Sequence, residues 1–360
     1  MSFSNTYDTT NPGSAVSNRE DLTEFLTSLS PEDTPVLSGA QKQRASATDT
    51  EWTVDKMDDP STEGVTEGSD VTAFSDKFAQ RARMGNFTQL YRRSYKVSQL
   101  QEAVDSVGPA KLAQAEAKAV RELKRDIEKT LCSTNVKQQA TASLPYKMNG
   151  LGAYIDSSPA GGVGVPTGFE TPASSINDLK GNTVDPVTET ELNDIIGSIY
   201  DVNGEVNNLT LIANTKLRRT ISDFARLAPT AATSGAHDRS IRSVNYEGGS
   251  ADITLRVDLY QSDHGIISVI NGNPLCMPDF GQSNNKASGY IVNSDYYGIH
   301  ELIPMGTSRL PNDGGGERGY VDCALTLGVY HPQAHGLIKG NKGDKSLWLL
   351  QIMVVILSTN

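Results

Sequence analysis

Chemistry in this chain would start from histidine, because imidazole is both the commonest general base and the commonest metal ligand near neutral pH. His331 and His335 stand four apart, the spacing at which two imidazoles on one helical turn could grip zinc. Pro332 lies between them and no glutamate adjoins either one, so the pair reads as a loop entering a strand. Asp263-His264 could form an acid–base dyad, but a turn between two strands accounts for it more simply. Asp58-Asp59-Pro60 sets two carboxylates side by side, and adjacent acids before proline make a turn. Gly314, Gly315 and Gly316 lack the Lys-Ser/Thr of a phosphate-cradling loop, and Gly162 and Gly164 lack a third glycine at dinucleotide spacing. There is no G-x-S-x-G elbow and no cysteine beside a histidine. These residues nominate no catalytic, cofactor-binding or metal site.

With no site to position, the elements need another explanation. The 360 residues suggest about two domains and can bury a core without disulfide staples. A net charge of −11 repels phosphate and excludes a sequence-specific DNA binder, though a container wall to which DNA does not stick is allowed. Cys132, Cys276 and Cys323 are odd in number and share no short spacing, as expected of small buried thiols in a reducing compartment. Met1 to Glu20 is polar and does not read as a secretory leader. The apolar run Leu347 to Leu357 is eleven residues long, too short to span a bilayer, and reads as a buried or intersubunit strand.

Along the chain, residues 1–16 have no period. Ser17 and Glu20 have capping-box spacing, and Leu22, Phe25, Leu26 and Leu29 share a helical face that Pro31 and Pro35 should end. A long hairpin is expected over residues 45–97. Trp52, Val54 and Lys56 alternate on its outgoing arm. Phe87, Gln89, Tyr91, Arg93, Tyr95 and Val97 share one face of its return arm. An isolated hairpin is marginal in water, so this aromatic face needs a partner surface. Charge is segregated: seven acids lie between Asp55 and Asp76, then five bases and no acid between Arg81 and Lys96. Such blocks can choose a partner and set its register. Trp52, Phe87, Tyr91, Arg92, Arg93, Tyr95 and Lys96 are therefore the expected contacts with neighbouring subunits.

A helix over residues 109–132 follows, opened by Gly108-Pro109. Leu112, Ala115, Ala119, Leu123, Ile127 and Leu131 form its stripe, with Lys118–Glu122 and Lys124–Glu128 spaced as i,i+4 pairs. Ribbon and helix together look like parts that must find burial partners on sister copies. Glycine and proline make residues 133–188 loop-rich. Beyond them the pattern predicts helices at Glu189–Tyr200 and Thr215–Leu227. Strands are predicted at Leu209–Ala213, Ile253–Tyr260, Gly265–Ile270, Gly289–Asn293, Gly298–Pro304 and Val321–Tyr330. No internal repeat is visible, and the class is α+β.

That order of arm, hairpin, long helix, α/β insert and closing strands resembles the major capsid protein of tailed bacteriophages, a fold shared with herpesvirus capsid floors and encapsulin shells. The segments that carry the resemblance are NREDLTEFLTSLSPEDTPVLS (Asn18 to Ser38), FTQLYRRSYKVSQLQEAVDSVG (Phe87 to Gly108), LAQAEAKAVRELKRDIEKTLCS (Leu112 to Ser133) and ALTLGVYHPQAHGLIKG (Ala324 to Gly340). The resemblance implies an N-terminal arm (1–38), an extended hairpin loop (39–98) and a peripheral domain with a spine helix (99–184). It further implies an axial domain (185–285), peripheral closing strands (286–340) and a C-terminal tail (341–360). By the same resemblance the chain is a non-enzymatic subunit that self-assembles through hexamers and pentamers into an icosahedral shell. The shell would enclose double-stranded DNA in a virion built in the bacterial cytoplasm. Scaffold, portal and cement proteins are the implied partners, with no cofactor and no membrane. An encapsulin-like cargo shell is the alternative, and a phage tail or carbohydrate-binding protein a more distant one.

Overall fold

Alternating apolar residues, helical stripes and proline positions decide which elements form in the computed structural model. It describes residues 33–104, 111–178, 187–204, 208–224, 243–247, 250–254, 257–280, 286–312 and 314–340. The expected helix after Ser17, the opening Gly108-Pro109 and the apolar run Leu347 to Leu357 lie outside these residues. The first described helix is α1 (Pro35–Gly39), with Pro35 at its first turn. Pro35 therefore opens a helix, as its fixed φ and missing N–H favour.

Strands β1 (Gln41–Arg44), β2 (Asp49–Val54), β3 (Ala82–Phe87) and β4 (Gln89–Val97) follow, then α2 (Gln99–Ala103) and α3 (Lys111–Leu131). The helix α3 agrees with the expected spine to within two residues. At 1.5 Å per residue it runs about 31 Å. Its stripe is buried from Ala119 through Leu123 and Ile127 to Leu131, while Leu112 and Ala115 are partly covered. Next come α4 (Leu151–Tyr154), the two-residue strand β5 (Ile176–Asn177), α5 (Glu189–Asn203), β6 (Leu209–Ala213) and α6 (Thr215–Phe224). Helix α5 starts on a capping box. The Thr188 hydroxyl accepts from the Glu191 N–H, and the Glu191 carboxylate accepts from the Thr188 N–H. It stops at Gly204 in the left-handed conformation.

Strands β7 (Ser243–Glu247), β8 (Ser250–Thr254), β9 (Leu259–Ser262), β10 (Gly265–Asn271), β11 (Gly289–Asn293), β12 (Tyr297–Leu310), β13 (Glu317–Val329) and β14 (Gly336–Ile338) complete the fold. The expected strand Ile253–Tyr260 is thus divided between β8 and β9. The strand expected to stop at Pro304 continues to Leu310, because register shifts between Glu301 and Gly306 absorb the proline that a regular ladder would reject.

Two larger sheets form. One has the order β1-β12-β13-β4, the other β5-β14-β11-β6-β10-β9; β2-β3 and β7-β8 are separate ribbons. The six-stranded sheet draws β6, β9 and β10 from residues 185–285 and β11 and β14 from 286–340, so a boundary at 285 runs through one sheet. Two buried clusters result. The larger joins the α3 stripe to β4, β13 and the α4 region, and the smaller packs α5 and α6 on β6 and β10.

Candidate assembly surfaces

The ribbon that leaves the body is shorter than residues 45–97. Strand β2 pairs with β3 from Asp49↔Phe87 to Val54↔Ala82. After Thr88 the chain enters the body as β4 and pairs with β13 from Gln89↔Leu325 to Val97↔Glu317. The expected return arm 87–97 is therefore a body strand, and β3 is the true return arm. Period-two alternation shows that a strand has an apolar face but not which strand it will join.

This corrects two of the expected contacts, Tyr91 and Tyr95. Tyr91 and Tyr95 are buried within the subunit between β4 and α3, and burial raises both phenol pKa values above the ordinary tyrosine value. Gly319 opposite Tyr95 permits the close pairing, since a Cβ there would lie 2.5 Å from the phenol oxygen. The aromatic face thus needs no sister copy: α3 covers it, and the strand covers the α3 stripe in return. Arg93 donates two bonds to Asp126 of α3, at 2.6 and 2.8 Å. That carboxylate holds the Arg93 guanidinium pKa above its usual value. Arg92 reaches Asp322 across the ladder at 3.0 Å and lies over the Tyr320 ring. Phe87 meets Tyr146. Trp52, half-buried at the foot of the ribbon, stacks on His300 and meets Tyr154 and Tyr330. Lys96 remains exposed.

What projects is the limb between Val54 and Ala82. Acids and bases pair across it within one chain: Glu51 with Arg83 at 3.1 Å, Asp55 with Arg81 at 2.8 Å and Asp58 with Lys77 at 2.8 Å. Lys77 also holds the Asp58 carboxyl below its usual pKa. Solvent screens these exposed pairs, so they contribute little to the limb's stability. Beyond them Met57, Val65 and Phe74 are 90, 87 and 89% exposed. Asp59, Glu63, Glu67, Asp70 and Asp76 accompany them without a base between Met57 and Asp76.

Two buried groups hold the limb and the chain start to the body, and neither had a local sequence signal. Asn86, fully buried at the end of β3, donates to the Leu327 carbonyl at 2.8 Å and accepts from the Asn149 N–H at 2.8 Å. Glu128 is 1% exposed on the core side of α3. Its two carboxylate oxygens accept from the Val36 and Leu37 N–H groups of α1, each at 2.9 Å. It therefore faces inward and does not make the expected pair with Lys124.

The remaining motifs make structure. Asp263-His264 is the turn between β9 and β10, with His264 stacked on Tyr200. His331 and His335 flank a 3-10 turn at Pro332–Ala334. Full burial pushes His335 down to about 4, and its Nδ1 accepts from the Asn293 N–H. Gly314 and Gly316, both at positive φ, turn the chain from β12 into β13. Among the described residues no group of three His, Cys, Asp or Glu could hold a metal, and no helix is long and apolar enough to cross a membrane. All three cysteines are free and buried.

The family model described as SU10 major capsid protein matches residues 3–342. Among solved structures, the capsid of an empty GTA particle aligns with TM-score 0.60 at 14% identity, covering 93% of this chain and 99% of that one. A cyanophage A-1(L) capsid subunit aligns with TM-score 0.60 at 13% identity, over 92% and 99%. The SrpI encapsulin of Synechococcus elongatus PCC 7942 aligns with TM-score 0.50 at 11% identity, over 92% and 95%. No curated protein matches the chain.

Proposed function

Because the chain belongs to the SU10 major capsid protein family and is a phage capsid shell subunit, we propose that it closes its shell by laying the acidic, apolar limb of one copy on the body of the next. The single observation that carries this is the display of Met57, Val65 and Phe74 on a limb whose ion pairs are already satisfied within the chain. A lone subunit gains nothing from exposing them; a ring of copies buries them all. The basic outer face of α3, with Lys118 and Lys124, is the complementary surface.

In this reading the subunits form hexamers and pentamers, and the shell encloses double-stranded DNA without reading its sequence. Residues 49–87 are the extended loop, since β1 and β4 on either side of it pair within the body. Residues 99–184 with 286–340 form the peripheral part, 185–285 the axial part, and 341–360 a tail. Scaffold, portal and cement proteins are the partners, the host cytoplasm is the place of assembly, and the subunit performs no bond chemistry. Of the contacts expected on β4, only the exposed Lys96 and the outer sides of Arg92 and Arg93 remain open to a neighbour; Trp52 and Phe87 act at the limb's foot.

Electron microscopy of the expressed chain tests the reading. Closed shells or five- and six-fold rings are expected, and Phe74→Ser with Val65→Ser should abolish them while circular dichroism stays unchanged. Normal shells from that double variant would remove the limb from the mechanism.

A further inference from the structure

A groove on the outer side of α3 holds more positive charge than the described body uses. It is lined by Arg93, Glu122, Arg125, Asp126, Lys129 and Leu275, and its volume of about 430 Å³ admits side chains of a short segment but not a folded domain. Arg93 is bonded to Asp126, which leaves Arg125 and Lys129 facing Glu122. Among the described residues neither of these two cations forms an ion pair. The Arg125 Nε is shut off from solvent with no acceptor, so this guanidinium has already lost part of its hydration. A carboxylate brought to it gains more than on a fully hydrated arginine. Leu275, by contrast, is 52% exposed beside it. Such a groove fits a short segment that is both acidic and apolar.

The fold brings one such segment to it. The turn that carries Leu275 also holds Asp33: the Asn273 side-chain amide donates to the Asp33 carbonyl at 2.9 Å, and its Oδ1 accepts from the Leu275 N–H at 3.0 Å. Three residues on, the Val36 N–H donates to Glu128, the neighbour of Lys129 in α3. Residues 1–32 therefore join the body beside the groove. Their second half carries Glu20, Asp21, Glu24 and Glu32 against the single base Arg19, and Leu22, Phe25, Leu26 and Leu29 share a helical face. From Leu29 to Asp33 the chain can span at most about 14 Å, and α3 advances about 10 Å between Glu122 and Lys129. The apolar face thus reaches the groove without stretching.

We propose that residues 18–30 dock in this groove of their own chain, with the apolar face on Leu275 and the carboxylates towards Arg125 and Lys129. The acidic limb of a second copy has similar chemistry. The segment is tethered a few residues away, however, which gives it an effective concentration of millimolar order at the groove. Docked, it closes the groove to neighbouring copies until it is displaced. A lone subunit would do this equally well, so the inference does not rest on the shell reading.

Photocrosslinking in the full-length chain is the test. Leu26→p-benzoylphenylalanine is irradiated, bands of one and two chain masses are separated by denaturing electrophoresis, and the linked peptides are identified by mass spectrometry. Capture of residues 122–129 or 273–277 in the one-chain band is expected. Arg125→Glu should lower its yield about fivefold, the factor that the free energy of one ion pair produces. Capture of these peptides only in the two-chain band would put a neighbour's segment in the groove. Their capture by Phe74→p-benzoylphenylalanine instead would give the groove to the limb. Either result overturns the proposal, as do capture elsewhere, no capture, or an unchanged yield in Arg125→Glu. Lys129→Glu, at an exposed position, replaces that variant if it does not fold. Shells are scored separately by microscopy, so a failed docking and a failed shell are distinguishable.

Discussion

The limb and the strand that follows it are adjacent in sequence and opposite in physics. Residues 49–87 display both charge and apolar surface to solvent, whereas residues 89–131 fold tyrosines, arginines and a glutamate onto one another. In the limb three ion pairs sit in water and contribute little. In the body the same residue types work beside a covered core, where charge without a partner is costly and apolar area is fully used. A shell subunit that works as proposed needs both: a rigid body to keep its shape and a limb left exposed for a neighbour.

The sharpest way to break the contrast is to hollow the body. Leu123→Ala, at a fully buried position of α3, should cost about 2–5 kcal/mol of folding stability, read by urea unfolding. A cost below ~1 kcal/mol would mean that α3 packs far more loosely than its stripe implies. Acid is the next lever. His335 is neutral in the fold and held at about 4, below its free value near 6.5. Its contribution, on the order of 3 kcal/mol, should be complete above pH 6.5 and fade as pH falls toward 4. His335→Gln should flatten the acid limb of the unfolding profile, and an unchanged profile would point to another titrating group.

Charge reversal of Arg93 separates body from limb directly. Arg93→Glu faces Asp126 across a former bidentate contact, so it should lower subunit stability by about 1 kcal/mol, the pair being partly screened by solvent, before any effect on assembly. If chemical denaturation leaves it as stable as wild type while shells vanish, Arg93 is an intersubunit residue after all. Smallest of all, Arg83→Ala removes one exposed limb pair and should move folding stability by under ~1 kcal/mol. A larger shift would show that the ribbon is part of the cooperative unit.

Much of this was legible in the residues themselves. The α3 stripe, the limits of β6 and β11 and the turn at Asp263-His264 follow from local period and turn chemistry, which need no distant partner. The Thr188–Glu191 capping box is equally local in origin. The failure at residues 87–97 has a different origin. Tyr91 and Tyr95 announce a face that must be covered, but α3 and β13, which cover it, lie about 30 and 230 positions further along. Asn86 and Glu128 were invisible for the same reason: a polar residue becomes a lock only when the fold brings donors or carbonyls to it.

By itself, then, the amino-acid order determined which segments are helix or strand, where charge is segregated, and that no constellation for catalysis is spelled out. Tertiary structure alone decided that the aromatic strand belongs to the body, that three acids of the limb pair with bases of the same chain, and that Glu128 faces inward. The physical reason is range. Periodicity and capping act over a few residues, while burial and hydrogen-bond satisfaction depend on partners that only a closed topology brings within three or four ångströms.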